Sequence, residues 1–195
     1  MHDIRRMMRA VAGDLWRVPQ PEAKHEAGEP AVPADSAEPA TLSFESIWKA
    51  VDNEIDWTAL LAAPSRHPQL AALAPDVLAG DPAAYRRALD ILCPLTDLAS
   101  FMHECAVEIT DADALSVCYS AAFDASDRRA ACGLALRAAR DLLAALPIFT
   151  VRVEAVHQDG MILRAAYTRD DLRRVRMTVA DPEQLTAACG AWSKE

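Results

Sequence analysis

SDRRAACGLALRAARDLLAALP, residues 126–147, runs straight into IFTVRVEAVHQDGMILRAAYT, residues 148–168. The first stretch repeats its apolar residues with helical period and the second alternates them. That change of period marks one long helix followed at once by a β-hairpin. Ser126 is placed to cap the helix. At about 100° per residue, Arg129, Arg137, Arg140 and Asp141 cluster on one side. Leu134, Ala138, Leu142, Cys132, Leu136 and Leu143 cover the rest. An apolar arc that wide suits a helix lying across a sheet or inside a bundle, with only a narrow wet strip. Gly133 falls in that strip and weakens the helix slightly.

The hairpin has a preferred register. A two-residue Asp159-Gly160 turn would set Ala155 against Arg164 and mix the faces. A three-residue loop, Gln158-Asp159-Gly160, pairs His157 with Met161, Ala155 with Leu163, Val153 with Ala165 and Val151 with Tyr167. It keeps one face apolar and sets Glu154 opposite Arg164 on the other, with glycine at the left-handed position.

Another hairpin, the first in chain order, precedes the helix, so the one just described is the second. Cys105, Val107 and Ile109 alternate with Ala106, Glu108 and Thr110, and Leu115, Val117 and Tyr119 alternate with Ser116, Cys118 and Ser120. Joining them across TDADA pairs Ile109 with Leu115, Val107 with Val117 and Cys105 with Tyr119 on the buried face.

Helices occupy the rest. Ser43 caps a helix with Phe44, Ile47, Trp48 and Val51 on one face. Asp56 caps WTALLAA, which ends at Pro64. Residues 64–80, broken by Pro64, Pro68, Pro75 and Gly80, read as short turns of helix. Asp81-Pro82 opens a clear helix with Tyr85, Leu89 and Leu92 facing inward. After the second hairpin, Thr168 and Asp171 form a capping-box-like start to a short helix. Asp181-Pro182 opens the last one. The expected fold is α+β: an antiparallel four-stranded sheet of two hairpins covered by helices, in the order α-α-α-β-β-α-β-β-α-α.

Three regions follow. Residues 2–17 read as an amphipathic N-terminal helix, with Ile4, Met8, Val11 and Leu15 on one face and Arg5, Arg6 and Arg9 on the other. Residues 18–42 hold five of the twelve prolines, much Glu and Ala and few large apolar side chains, so they read as a disordered linker. Residues 43–195 form a single α+β domain. The N-terminal unit is thus expected at 1–17.

The net charge is −9 and the pI near 5.0, which argues against a general nucleic-acid binder. Arginine far outnumbers lysine, which occurs only at Lys24, Lys49 and Lys194; with abundant alanine, this is the mark of a GC-rich, bacterial-type genome. Five cysteines, an odd number with no CxxC pair, point to free thiols in a reducing cytoplasm. No run of about 18 apolar residues suggests a membrane span, and no apolar stretch near the N-terminus suggests a secretory signal.

No catalytic motif stands out. His103 and Cys105 share one side of a strand, but the register sends Cys118 to the other, which removes a third metal ligand. His103 could serve as a general base, and Cys105 beside it is the only sequence-local cysteine–histidine pair. Glu154, Asp159, Asp170 and Asp171 surround the second hairpin as magnesium ligands of a nuclease would. Each has a structural task instead: a cross-strand partner for Glu154, a turn for Asp159, a cap for Asp171. No metal or cofactor is expected.

Charge is unevenly laid out. From Glu22 to Asp56 acids exceed bases by seven; from Ser126 to Arg176 ten arginines face six acids. Arg129, Arg137 and Arg140 on the long helix, with Arg169, Arg173, Arg174 and Arg176 after the hairpin, form the candidate binding surface. The competing possibility is that the acidic first half lies over them. Small acidic proteins with helices on an antiparallel sheet include secretion chaperones, and the order of elements loosely resembles theirs at the level of fold. The expected function is a non-catalytic protein-binding or assembly module whose partner is another protein or a second copy. The alternative is a hydrolase or nuclease using His103 or the acids near the second hairpin.

Overall fold

The computed structural model describes residues 15–18, 54–64, 67–157, 160–174 and 181–189. The expected Ser43 helix and nearly all of the expected linker lie outside these residues. The strands are β1 (Leu15–Arg17), β2 (Met102–Asp111), β3 (Ala114–Ala121), β4 (Thr150–His157) and β5 (Gly160–Thr168). The helices are α1 (Trp57–Ala62), α2 (Pro68–Leu78), α3 (Pro82–Leu92), α4 (Arg128–Ala145), α5 (Arg169–Arg173) and α6 (Pro182–Cys189), with a 3-10 helix over Thr96–Phe101.

The class is α+β, but the sheet is mixed and five-stranded, in the order β1-β2-β3-β4-β5. The expected four-stranded antiparallel sheet is corrected at two places. First, β3 and β4 pair in parallel, Leu115 beside Val151 and Val117 beside Val153. Eighteen residues of α4 carry the chain back along the sheet before β4 begins, and such a crossover returns the strand in its original direction. Second, residues 15–17 are strand rather than the end of a helix. Trp16 pairs with Val107, is 3% exposed and donates its indole N–H to Asp90 Oδ1 at 2.8 Å. Pairing there covers part of the β2 edge, which would otherwise present bare backbone groups. Residues 2–14 of the expected helix lie outside the described residues.

Both hairpin registers on the core face match the alternation. Cys105 pairs with Tyr119, Val107 with Val117 and Ile109 with Leu115. Ala155 pairs with Leu163, Val153 with Ala165 and Val151 with Tyr167. The tip of the second hairpin differs. His157 pairs with Gly160 and Val156 with Met161, so a bulge opposite Ala155 and Val156 takes up the odd residue that a three-residue loop was expected to hold.

Residues 68–78 are another correction: they form one helix, not separate turns. Pro68 opens it at a position that needs no N–H, and Pro75 gives up a single backbone bond. Leu70, Ala71, Leu73, Ala74 and Val77 bury one continuous stripe, which outweighs that loss. The caps at Asp56, Asp81 and Thr168 are as expected. Asp127, not Ser126, caps α4 by accepting from the Ala130 N–H at 2.9 Å; Ser126 instead donates its hydroxyl to Asp124.

The core lies between the sheet and α4. Tyr119 donates to the Ala131 carbonyl at 3.0 Å, and Tyr167 is hydrogen-bonded to Thr186 of α6 at 3.1 Å. On its far side α4 meets the N-terminal helices: Trp57 donates its indole N–H to the Ala145 carbonyl at 3.0 Å. Covered on both sides, α4 has no wet strip over most of its length; Gly133, Arg137 and Asp141 are all buried.

Gly80, which follows α2, has φ +78°, and a Cβ there would stand 2.6 Å from Ala112 Cβ in the first hairpin turn. Gly80→Ala therefore meets both backbone strain and a clash. It should destabilise the protein by about 1–3 kcal/mol in urea denaturation. Wild-type stability would mean that α2 and the turn are not held together there.

Candidate functional site

Helix α4 runs through a region with little access to water, so any charge on its covered sides needs a partner. Arg137 and Asp141 stand four residues apart and therefore on one face. Arg137 Nε donates to Asp141 Oδ2 at 2.5 Å, and its Nη2 reaches Asp97 of the 3-10 helix at 2.9 Å. The side chains of Arg137 and Asp141 are 1% and 2% exposed. Asp97 is half in water, so the group is a buried pair with one wetter carboxylate attached.

Asp141 also lines a cleft of about 880 Å³. Its walls come from α1 and the residues before it, the start of α2, the end of α3 and the last turns of α4. Ile55, Leu60, Leu70, Ile91 and Leu92 make it apolar, while Glu54, Asp56 and His67 supply polar groups. This volume lies within the range of small-ligand and peptide sites. Burial pushes the Asp141 carboxyl up to about 6; Arg137 and then Arg140 pull the other way. Its Oδ1 accepts no hydrogen bond among the described residues. Arg140 Nε stands 3.8 Å from it, beyond hydrogen-bond reach.

A smaller hollow of about 500 Å³ shares Glu54 and is lined by Arg169 and Arg173. Arg169 closes the end of α4. It donates to the carbonyls of Leu143, Leu146 and Ile148, and it pairs with Glu54, which Arg173 also reaches at 2.9 Å. A planar guanidinium suits that task because several N–H groups leave it in fixed directions. Burial pulls its pKa down, opposed by Glu54.

The seven arginines read from the sequence are not brought into one surface. Arg137 is inside, and the side chains of Arg140 and Arg169 are only 15% and 17% exposed. Arg129, Arg173 and Arg174 are exposed, and Arg176 lies outside the described residues. Arg129 sits in the first turn of α4 and Arg169 binds its last, roughly 25 Å apart at helical rise. Glu54 on Arg169 and Arg173 realises part of the expected complementation between the acidic first half and the basic second half.

His103 is exposed on β2, while Cys105 is buried and its thiol is pushed far up by burial. Burial also raises the thiols of Cys118 and Cys132 to about 11. None of these is an activated nucleophile. Glu154 is paired with Arg164 at 2.9 Å, Asp171 is held by Thr168, and Asp159 lies outside the described residues. Among the described residues no group of three or more His, Cys, Asp and Glu side chains could hold a metal ion. The residues that the sequence reading missed are Asp97 and the cleft-lining Glu54 and Asp56. The spacing of Arg137 and Asp141 is the available signal, although a helical wheel puts both on the wet side.

Comparison with protein-family models, with curated proteins and with solved structures finds no match.

The buried pair has a predictable pH signature. Asp141 titrates near 6 when folded and near its ordinary 3.8 when unfolded, so the folded form takes up the proton first. Its contribution to stability is full below the unfolded value and is lost as pH rises through about 6. Arg137→Met strands the ionised carboxylate at pH 7. It should cost about 3 kcal/mol or more in urea denaturation. At pH 5 the carboxyl takes up a proton and the cost should shrink markedly. An equal cost at both pH values would show that Asp141 is not the group left unpaired.

Proposed function

We propose that this protein is a non-catalytic protein-binding module that receives an amphipathic segment of another protein in the cleft between α1–α3 and α4. The cleft itself carries the reading: a large apolar recess edged by acidic side chains. An amphipathic helix laid into an apolar groove is a recurring mode of peptide recognition. Ile91, on the cleft wall, is 42% exposed, and Leu61, on α1, is 45% exposed. The acids at Glu54, Asp56 and Asp141 favour a basic partner over an acidic one. The chemistry-bearing residues elsewhere are already engaged or dispersed, which supports binding over catalysis.

The cysteines are all free, which suits a reducing compartment such as the cytoplasm. Among the described residues no helix is long and apolar enough to cross a membrane.

Photo-crosslinking in the native cell tests the reading. A crosslinker at position 91 should trap a discrete partner, and one at position 174 should not. Ile91→Glu, on the rim and not in the core, should lower recovery of that partner by about ten-fold, the scale of a lost apolar anchor. Trapping at 174 alone would move the site to the arginine face. A trapped species of twice the chain mass would make the occupant a second copy and overturn the assignment to another protein.

A further inference from the structure

We infer that the cleft contains a subsite for a cationic group, an ammonium or guanidinium carried on an apolar body, with Asp141 Oδ1 as its acceptor. This rests on the cleft being the binding site.

Asp141 presents two oxygens, and only one accepts a hydrogen bond; the other faces Arg140 Nε at 3.8 Å, an ion pair beyond hydrogen-bond reach. Oδ2 takes Arg137 Nε, while Oδ1 has no hydrogen-bond partner among the described residues although the side chain is 2% exposed. A buried carboxylate oxygen without a donor is costly and uncommon, and Asp141 stands in the lining of the cleft. A cationic donor fits better than a neutral one. Such a bond is charge-assisted, and the apolar walls from Leu60, Leu70, Ile91 and Leu92 leave little water to screen it. Those walls also require that the cation be attached to something apolar. A lysine or arginine on an amphipathic segment has this form, since its own methylene stem is apolar.

The surrounding charges set the pH response. On α4, Arg137 and Arg140 favour the ionised carboxyl; from the 3-10 helix Asp97 opposes it. Across the cleft stand Glu54, already engaged by Arg169 and Arg173, Asp56, which caps α1, and His67. Cation binding should weaken as pH falls through about 6, where Asp141 loses its charge. His67→Gln removes the imidazole from the cleft: if Asp141 is the anchor, the fall in affinity survives in that variant.

The probe is hexylammonium, with hexanol as its neutral counterpart, followed by methyl NMR of the full chain at Leu60, Leu70 and Ile91. Hexylammonium should shift these methyls and bind about ten-fold or more tightly than hexanol at pH 7.5, the size of a charge-assisted bond. Asp141→Asn should bring the two probes level. If that variant does not fold, the wild-type pH profile decides, because the advantage of the ammonium should disappear by pH 5. Equal binding of both probes at pH 7.5 would remove the cation subsite and leave the apolar cleft standing as a site. Shifts with neither probe would count against both the subsite and the cleft.

Discussion

A guanidinium and a carboxylate held out of water in the middle of α4 constrain much of this structure. The helix is covered by the sheet on one side and by α1–α3 on the other, so Arg137 can stay charged only beside Asp141 and Asp97. A buried pair of this kind adds little stability compared with apolar replacements, but it is costly to break. It therefore acts as a locating pin. The 3-10 helix must lie where Asp97, in its first turn, meets Arg137, and Asp141 joins the lining of the cleft between α1, α3 and α4. The feature that makes the helix awkward to bury is also the one that gives the cleft its chemical character.

Some of this was legible in the sequence. The two core-face registers could be read because a one-residue slip would turn Val107, Val117, Val153 and Tyr167 out of the core together. The caps at Asp56, Asp81 and Thr168 were legible because each places a side-chain oxygen before a run of unsatisfied N–H groups. Other elements depend on partners that local pattern does not name. The parallel pairing of β3 and β4 depends on which way α4 returns. Residues 15–17 take strand geometry because β2 has an open edge and Asp90 offers an acceptor for Trp16. α2 absorbs Pro75 because its buried stripe outweighs one missing bond.

The site was less legible than the fold for a related reason. A helical wheel distinguishes polar from apolar, not wet from dry. Arg129, Arg137 and Arg140 share a side of the wheel, yet the structure leaves the first exposed and buries the second. Arg169 looked like part of a basic surface, but it supplies donors to carbonyls at the end of a helix whose own last residues offer no basic side chain. The cleft is lined from four separated stretches of chain, so no sequence window contains it.

The short strand β1 has a consequence for folding. Its ladder joins Trp16 to Val107, and its indole reaches an acceptor 74 residues away along the chain. Such non-local pairings carry a large loop-closure cost and give no return until the segments they join are in place, whereas the β2–β3 hairpin is local. Trp57 is fixed by a still more distant partner, the Ala145 carbonyl 88 residues on, but in a different layer. The two buried indoles thus mark two separate long-range closures: that of the sheet edge, and that of the N-terminal helices on α4.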